Sequence, residues 1–149
     1  MSFSRITEEL FIGPMPTVED YTRLYELGVR LVLNMRFGRR LPAGLSNPPM
    51  QVLWLRSFDN PLLPIPLPLL FKGAHAALEV IEAGNKVYTH CAHGRHRSVA
   101  MGAAILIAQG RTPEEAMALI KEKRPQADPE AFYIKSRILA FARHWRQVS

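Results

Sequence analysis

A nine-residue loop between an apolar strand and an apolar helix constrains this sequence more than any other feature. The loop reads His-Cys-Ala-His-Gly-Arg-His-Arg-Ser and covers residues 90–98. Lys86–His90 predicts a short buried strand before it, and the small, apolar residues 98–109 predict a buried helix after it. A loop at this position presents free backbone N–H groups at the positive end of a helix dipole, so it is suited to binding an anion.

The residue types in the loop predict nucleophilic chemistry on a phosphoryl group. Cys91 is the only cysteine, and a helix N-terminus with nearby cations lowers the pKa of such a thiol. Arg97 offers a planar fork that holds two phosphoryl oxygens at once. Gly94 lets the backbone turn tightly toward an oxyanion. Ser98 can donate a hydrogen bond to the sulfur and so make it a better leaving group in a second step.

Two other interpretations of the loop compete with this one. A lone cysteine is usually an inert core residue, but the flanking glycine, arginine and serine argue against that here. The loop also contains four possible zinc ligands, which are His90, Cys91, His93 and His96. Two arginines in the same loop oppose a cation at this position. We therefore expect no metal and no cofactor.

The pattern His-Cys-(five residues)-Arg-Ser resembles the signature of the cysteine-dependent protein tyrosine phosphatase superfamily, and the chain length is similar to its small dual-specificity branch. The resemblance covers nearly the whole chain and includes Leu10–Gly13, residues 32–34 and Lys123-Arg124-Pro125. It implies a cysteine nucleophile, an arginine that binds phosphate and an upstream aspartate as general acid. It also implies an α/β fold with a mixed, mainly parallel sheet of about five strands flanked by helices.

Periodicity and capping signals predict five strands and five helices in one domain that covers residues 1–149. Strands are expected at residues 3–6, 10–12, 30–35, 50–55 and 86–90. Helices are expected from the cap Thr17 to residue 27, over residues 67–83 and 98–109, from the cap Thr112 to residue 123, and from Asp128 onward. The last helix is expected to bury Phe132, Ile138, Leu139, Ala142 and Trp145. Because helices alternate with strands, the pattern favours an α/β layer structure.

The chain has three aspartates, and one of them has no evident structural role. Asp20 and Asp128 stand at predicted helix starts, whereas Asp59 lies in a proline-rich loop, 32 residues before Cys91. An Asx-turn would be the ordinary role of a loop aspartate. The separation from Cys91 is similar to that of the family, which implies that Asp59 is the general acid. Once ionised, the same carboxylate could take a proton from water in the second step.

Three loops follow predicted strand ends, and such loops meet at one edge of a parallel sheet. They are the reactive loop, the loop after Asn34 and the loop that contains Asp59. Asn34 is expected either to brace the reactive loop or to close an ordinary turn, and His90 is expected to brace it. The backbone N–H groups expected to bind phosphate belong to Ala92, His93, Gly94, Arg95, His96 and Arg97.

The substrate is less well defined by the sequence. His93, Arg95 and His96 make the loop similar to that of phosphatases acting on phosphatidylglycerophosphate and phosphoinositides, or else they point to solvent and only lower the pKa of Cys91. Arg36, Arg39 and Arg40 could extend this basic rim. The resemblance implies hydrolysis of phosphotyrosine and phosphoserine or phosphothreonine. The alternatives are a phospholipid head-group phosphatase and an inactive phosphate-binding module.

The composition of the chain indicates the charge of its binding partner. With 19 basic and 13 acidic residues the net charge is +6, which favours an anionic partner: a phosphorylated molecule, nucleic acid or an anionic membrane face. We expect the partner to be a phosphorylated protein or an anionic phospholipid head group. No basic motif interleaved with aromatic residues supports nucleic-acid binding. A single cysteine excludes an internal disulfide. Because neither a signal peptide nor a transmembrane run is evident, we expect a monomeric cytoplasmic protein.

Overall fold

One five-stranded sheet organises the computed structural model, which describes residues 2–38 and 50–148. The strands are β1 (Ser4–Arg5), β2 (Leu10–Gly13), β3 (Val29–Asn34), β4 (Gln51–Trp54) and β5 (Lys86–His90), in the spatial order β1-β2-β5-β3-β4. β1 pairs antiparallel to β2, and the other pairs are parallel. This confirms the predicted mixed, mainly parallel sheet. Arg39 and Arg40, which the sequence indicated as a possible extension of the basic rim, lie outside the described residues.

Five helices flank the sheet: α1 (Val18–Glu26), α2 (Leu67–Glu82), α3 (Arg97–Ala108), α4 (Pro113–Lys123) and α5 (Phe132–Val148). The predicted caps of α1 and α4 are confirmed. Thr17 with Asp20, and Thr112 with Glu115, form reciprocal capping boxes that satisfy free N–H groups of the first turn. Within the described residues, no helix combines the length and the apolar character needed to cross a bilayer.

Apolar side chains of β2, β3, β4 and β5 alternate between two clusters of unequal size. Leu31 and Leu33 of β3 belong to the larger cluster, which includes residues of α2 to α5. Val32 belongs to the smaller one, which includes Tyr21 and Leu24 of α1. The period of two is what a strand that is covered on both faces requires. α3 lies inside the larger cluster, and nearly all of its residues are buried.

The start of the last helix was predicted wrongly. The helix begins at Phe132 rather than at Asp128, and Phe132 is 72% exposed instead of buried. Residues 128–131 stay outside the helix because the Asp128 N–H donates to the Arg95 carbonyl oxygen at 2.9 Å. Ile138 and Ala142 are buried as predicted. Asp128 is therefore tied to the reactive loop and does not cap a helix.

Candidate active site

Cys91 follows β5 directly and lies at the base of the reactive loop. Its side chain is buried, and Sγ lies 3.2 Å from the Ser98 hydroxyl oxygen. Burial by itself raises the pKa of this thiol. Hydrogen bonds from the Ser98 hydroxyl and backbone, the charge of Arg97 and the Gly94 backbone outweigh it, so the pKa lies below its usual value. The sequence places nucleophile and serine together because helix α3 begins between them.

Arg97 is the first residue of α3, and its guanidinium is buried among three loops. Nη1 donates to the carbonyl oxygens of Met35, at 3.2 Å, and Ser57, at 2.8 Å. The Ser57 hydroxyl in turn donates to the Met35 oxygen at 2.7 Å. Among the described residues, Arg97 Nε is buried and has no hydrogen-bond partner. The loops after β3, β4 and β5 therefore meet at one sheet edge, with part of the guanidinium fork available to an anion.

Arg124 is a second buried arginine, and it braces the reactive loop from behind. Nε donates to the Gly94 carbonyl oxygen at 2.8 Å and Nη2 to that of His93 at 3.2 Å. Nη1 donates to the Ser2 carbonyl oxygen at 2.7 Å and to the Ser4 hydroxyl at 3.0 Å. In the sequence, Lys123-Arg124-Pro125 stood out only as part of a resemblance. Nothing in that pattern indicates that the Arg124 side chain holds loop carbonyl oxygens.

Asp59 lies on the loop after β4 and faces the reactive loop. Its Oδ1 accepts a hydrogen bond from the Tyr133 hydroxyl at 2.5 Å, and its Oδ2 lies 3.0 Å from Nδ1 of His96. Burial raises the pKa of this carboxyl group. The hydrogen bonds from Tyr133 and His96, together with the charges of His96 and Arg97, outweigh burial and hold the pKa below its usual value. Tyr133 was not recognised from the sequence, because its 74-residue separation from Asp59 carries no local signal.

Two of the three additional basic side chains of the loop, those of Arg95 and His96, have partners within the protein. The His96 ring lies between two carboxylates, with Nε2 at 3.4 Å from Asp128 Oδ2. Arg95 Nε donates to the Gln126 carbonyl oxygen at 3.2 Å. The side chains of Arg95 and His96 are thus directed toward the α4–α5 connection and Asp59, and His93 is exposed. This arrangement gives Arg95 and His96 roles in loop position as well as in charge.

His90 and Asn34, which the sequence indicated as possible supports of the reactive loop, contact different groups. His90 is buried and stacks on Tyr88, with ring centroids 5.6 Å apart. Burial lowers the pKa of His90 to about 3, so its ring is neutral. Asn34 closes its own turn, because Oδ1 accepts from the Arg36 N–H at 2.9 Å and Nδ2 donates to the Gly38 oxygen at 3.1 Å. The side-chain bracing of the reactive loop proposed for Asn34 is replaced by this ordinary turn.

Aromatic and apolar side chains surround the Asp59 loop. The rings of Phe37 and Phe58 lie 4.9 Å apart, and the guanidinium of Arg56 stacks on Phe37 at 3.8 Å. Leu62, three residues after Asp59, is 86% exposed. Within residues 2–38 and 50–148, no group of three or more His, Cys, Asp or Glu side chains is arranged to hold a metal ion.

Comparison with known proteins shows the family to which this chain belongs. No protein-family model matches the sequence. Human dual specificity phosphatase 28 is 30% identical over 127 residues, which cover 84% of this chain and 69% of that protein. The chain belongs to the dual-specificity phosphatase family. The tyrosine-protein phosphatase yvh1 of Schizosaccharomyces pombe is 28% identical over 133 residues, which cover 89% of this chain but only 39% of that longer relative.

Solved structures of dual-specificity phosphatases and related enzymes share the fold. The crystal structure of human DUSP28 superposes with a TM-score of 0.85 at 25% identity and covers 98% of this chain and 99% of its own. The structure of PTPMT1 in complex with PI(5)P gives a TM-score of 0.86 at 26% identity and covers 99% and 98%. The fold implied by the sequence resemblance is thereby confirmed for this dual-specificity phosphatase family member.

Proposed function

We propose that the protein hydrolyses phosphate monoesters of phosphotyrosine and of phosphoserine or phosphothreonine through a phosphocysteine intermediate. The observation that carries this proposal is the convergence of an acidified thiol and a pre-positioned guanidinium. Cys91 Sγ is hydrogen-bonded to Ser98, while Arg97 is held by two carbonyl oxygens and keeps Nε unpaired within the described residues. Family membership gives independent support for phosphatase chemistry.

In the first step, the thiolate of Cys91 attacks phosphorus in line with the bond to the leaving oxygen. Arg97 and the N–H groups of residues 92–97 hold the equatorial oxygens where negative charge is greatest. Asp59 delivers a proton to the leaving oxygen, which contributes roughly 10²- to 10⁴-fold in rate. The S–P bond forms as the P–O bond to the alcohol or phenol breaks.

In the second step, water attacks the phosphocysteine and the S–P bond breaks. The carboxylate of Asp59 accepts a proton from the water as the new P–O bond forms. Ser98 donates to the departing sulfur, since its hydroxyl oxygen is 3.2 Å from Sγ. A hydrogen bond to a developing thiolate makes sulfur a better leaving group. The thiolate and inorganic phosphate are the products.

A phospholipid head group is the second candidate substrate, and a specific observation favours it. Phe58 and Leu63 flank the Asp59 region with 42% and 48% of their surface exposed, and Leu62 projects further. Exposed apolar side chains beside a basic site suit an enzyme that works at an anionic membrane surface. The similar PTPMT1 structure contains PI(5)P. We regard a phosphoprotein as the primary substrate because one relative is named a tyrosine-protein phosphatase and another a dual specificity phosphatase.

Phosphate release from a substrate panel tests the proposal. The panel contains phosphotyrosine and phosphothreonine peptides, vesicles with phosphatidylglycerophosphate or phosphoinositides, and an aryl phosphate, with Cys91→Ser as the control. Preference for peptides supports the protein phosphatase, and preference for vesicles moves the protein to lipid substrates. If no substrate in the panel releases phosphate in a Cys91-dependent manner, the catalytic proposal is overturned and a phosphate-binding module is favoured. The proposal includes a monomeric, cytoplasmic enzyme, which light scattering and cell fractionation test.

A further inference from the structure

His96 connects Asp59 to a second carboxylate. Nδ1 of the ring lies 3.0 Å from Asp59 Oδ2, and Nε2 lies 3.4 Å from Asp128 Oδ2. A neutral imidazole has a single N–H and can donate to only one of the two carboxylates, whereas a doubly protonated ring donates to both. The ring is also partly withdrawn from solvent, with 17% of its side chain exposed. Each ring nitrogen of His96 therefore has a carboxylate acceptor within reach, and Nδ1 can hold a proton next to Asp59.

Asp59 in the free protein is poorly prepared to act as an acid alone. Its carboxylate accepts from the Tyr133 hydroxyl at 2.5 Å and faces the cations His96 and Arg97. These groups stabilise the ionised carboxylate, and the pKa of Asp59 is lowered accordingly. A general acid works best when its proton is retained near the operating pH. A neighbour of Asp59 that holds a proton can therefore supply the one that the leaving group needs.

We propose that Asp59 and His96 act as one acid, in which His96 stores the proton and Asp59 delivers it to the leaving oxygen. This inference rests on the proposed phosphatase reaction and deepens it. The Nδ1–H bond of His96 breaks as an O–H bond forms on Asp59, and that bond breaks as the leaving oxygen gains its proton. In the second step, Asp59 takes a proton from water and returns it to Nδ1 of His96. Each proton is thus accounted for over one cycle.

Bound substrate favours protonation of the Asp59 carboxylate. A phosphoryl dianion beside Arg97 adds negative charge close to Asp59, and like charge disfavours an ionised carboxylate. The other groups that face the pair are Asp128, on the far ring nitrogen, and Tyr133, whose ring centroid is 5.6 Å from that of His96. Asp128 keeps the second ring nitrogen protonated during the transfer. Tyr133 retains its own proton, since burial and Asp59 raise its pKa to about 12.

The dependence of kcat/KM on the leaving group tests the proposal. A series of aryl phosphates is compared, from acidic phenols, which depart without protonation, to phenol itself, with wild type, His96→Gln and Asp59→Asn. Glutamine keeps a donor beside Asp59 but holds no transferable proton. We expect His96→Gln to lower kcat/KM by about 10²-fold for the poorest leaving group and by less than about threefold for the best. His144→Gln on α5 is the matched control and is expected to behave as wild type.

A double variant separates proton supply from simple positioning. If the two residues form one acid, His96→Gln combined with Asp59→Asn is no slower than Asp59→Asn alone. Equal losses for every leaving group, or losses that add in the double variant, would show that His96 is structural only and would overturn the proposal. If neither single variant changes the leaving-group dependence while Cys91→Ser is inactive, the acid assignment is refuted but the phosphatase reaction stays intact.

Nuclear magnetic resonance provides a readout that does not depend on turnover. The ¹⁵N shifts of the His96 ring are followed against pH in Cys91→Ser and in Cys91→Ser with Asp59→Asn. The proposal predicts that the ¹⁵N shift of Nδ1 differs between the two proteins, because replacing Asp59 removes the carboxylate that lies 3.0 Å from this nitrogen. Identical titrations in the two proteins would show that the groups are not coupled and would contradict the pair.

Discussion

The guanidinium of Arg124 donates to the carbonyl oxygen of Gly94 at 2.8 Å, across 30 residues of sequence. This contact holds the Gly94 carbonyl oxygen against the side chain that follows α4. In the proposed mechanism, the N–H groups of the same loop hold the phosphoryl oxygens. The shape of the reactive loop is thus set by a side chain from the end of α4 and by the local sequence together.

Replacing Arg124 with lysine is expected to disorder the phosphate site while keeping the charge. A lysine cannot reach the oxygens of His93, Gly94 and Ser2 together, and each lost charge-assisted hydrogen bond costs about 1.5–3 kcal/mol. We expect weaker inhibition by inorganic phosphate and a lower free energy of unfolding by about 3 kcal/mol. Arg23→Lys, on the exposed surface of α1, is the matched control. Unchanged phosphate affinity in Arg124→Lys would contradict the bracing role.

Gly94→Ala is expected to abolish activity for two reasons that can be separated, namely backbone strain and a steric clash of the added Cβ. Gly94 has φ of +67°, and a Cβ there would lie 2.6 Å from both Arg124 Nη2 and the Gly13 carbonyl carbon. Gly110 also has a positive φ, of +109°, but a Cβ there meets nothing within 4 Å. Gly110→Ala should therefore lose about 1 kcal/mol of stability from backbone strain and keep its activity.

Circular dichroism and phosphate release distinguish the two glycine variants. A folded Gly94→Ala protein without activity is the expected outcome. If both variants lose activity equally, backbone strain alone accounts for the effect, and the contact with Arg124 is unimportant.

Ser98→Ala is expected to shift the reactivity of Cys91 to higher pH. The pKa of Cys91 lies below the ordinary value of 9.0, and the Ser98 hydroxyl lowers it. Removing the hydroxyl raises the pKa, so a smaller fraction is thiolate at neutral pH and alkylation slows. The rate of iodoacetamide alkylation against pH measures the midpoint. Ser136→Ala on α5 controls for loss of a serine, and an unchanged midpoint in Ser98→Ala would refute the role of this hydrogen bond.

Arg97→Lys is expected to weaken phosphate binding severely. Lysine lacks the planar fork that holds two oxygens side by side, and its single nitrogen cannot serve Met35, Ser57 and an anion in the geometry of Arg97. Loss of two charge-assisted hydrogen bonds corresponds to roughly 10²-fold or more in affinity. Calorimetric titration of inorganic phosphate into Cys91→Ser, with and without Arg97→Lys, measures binding without turnover. Equal affinities would place the anion site elsewhere.

The sequence predicted those parts of the molecule whose signals are local. Short apolar runs located the strands, and the capping boxes of Thr17 and Thr112 located the starts of α1 and α4. The spacing of Cys91, Arg97 and Ser98 fixes their proximity, because a strand, a turn and a helix follow one another without interruption. These features depend on residues within one turn or one loop.

The contacts that the sequence did not predict join distant segments. Asp128 was assigned to a helix start because Asp-Pro-Glu is a common helix beginning, yet its backbone bonds to Arg95 and its carboxylate approaches His96. Tyr133 bonds to Asp59 across 74 residues. Met35 and Ser57 hold Arg97 through carbonyl oxygens, which every residue possesses. Such contacts form only in the packed fold, and no local residue pattern predicts them.

Phosphoryl transfer to the sulfur of Cys91 is tested most directly by trapping the intermediate. An aryl phosphate with an acidic phenol makes the second step limiting, and Ser98→Ala slows that step further because sulfur is then a poorer leaving group. Acid quenching followed by peptide mass spectrometry should find one phosphoryl group on Cys91, and none in Cys91→Ser. Steady turnover without phosphorylated Cys91, or turnover that survives in Cys91→Ser, would contradict the proposed mechanism.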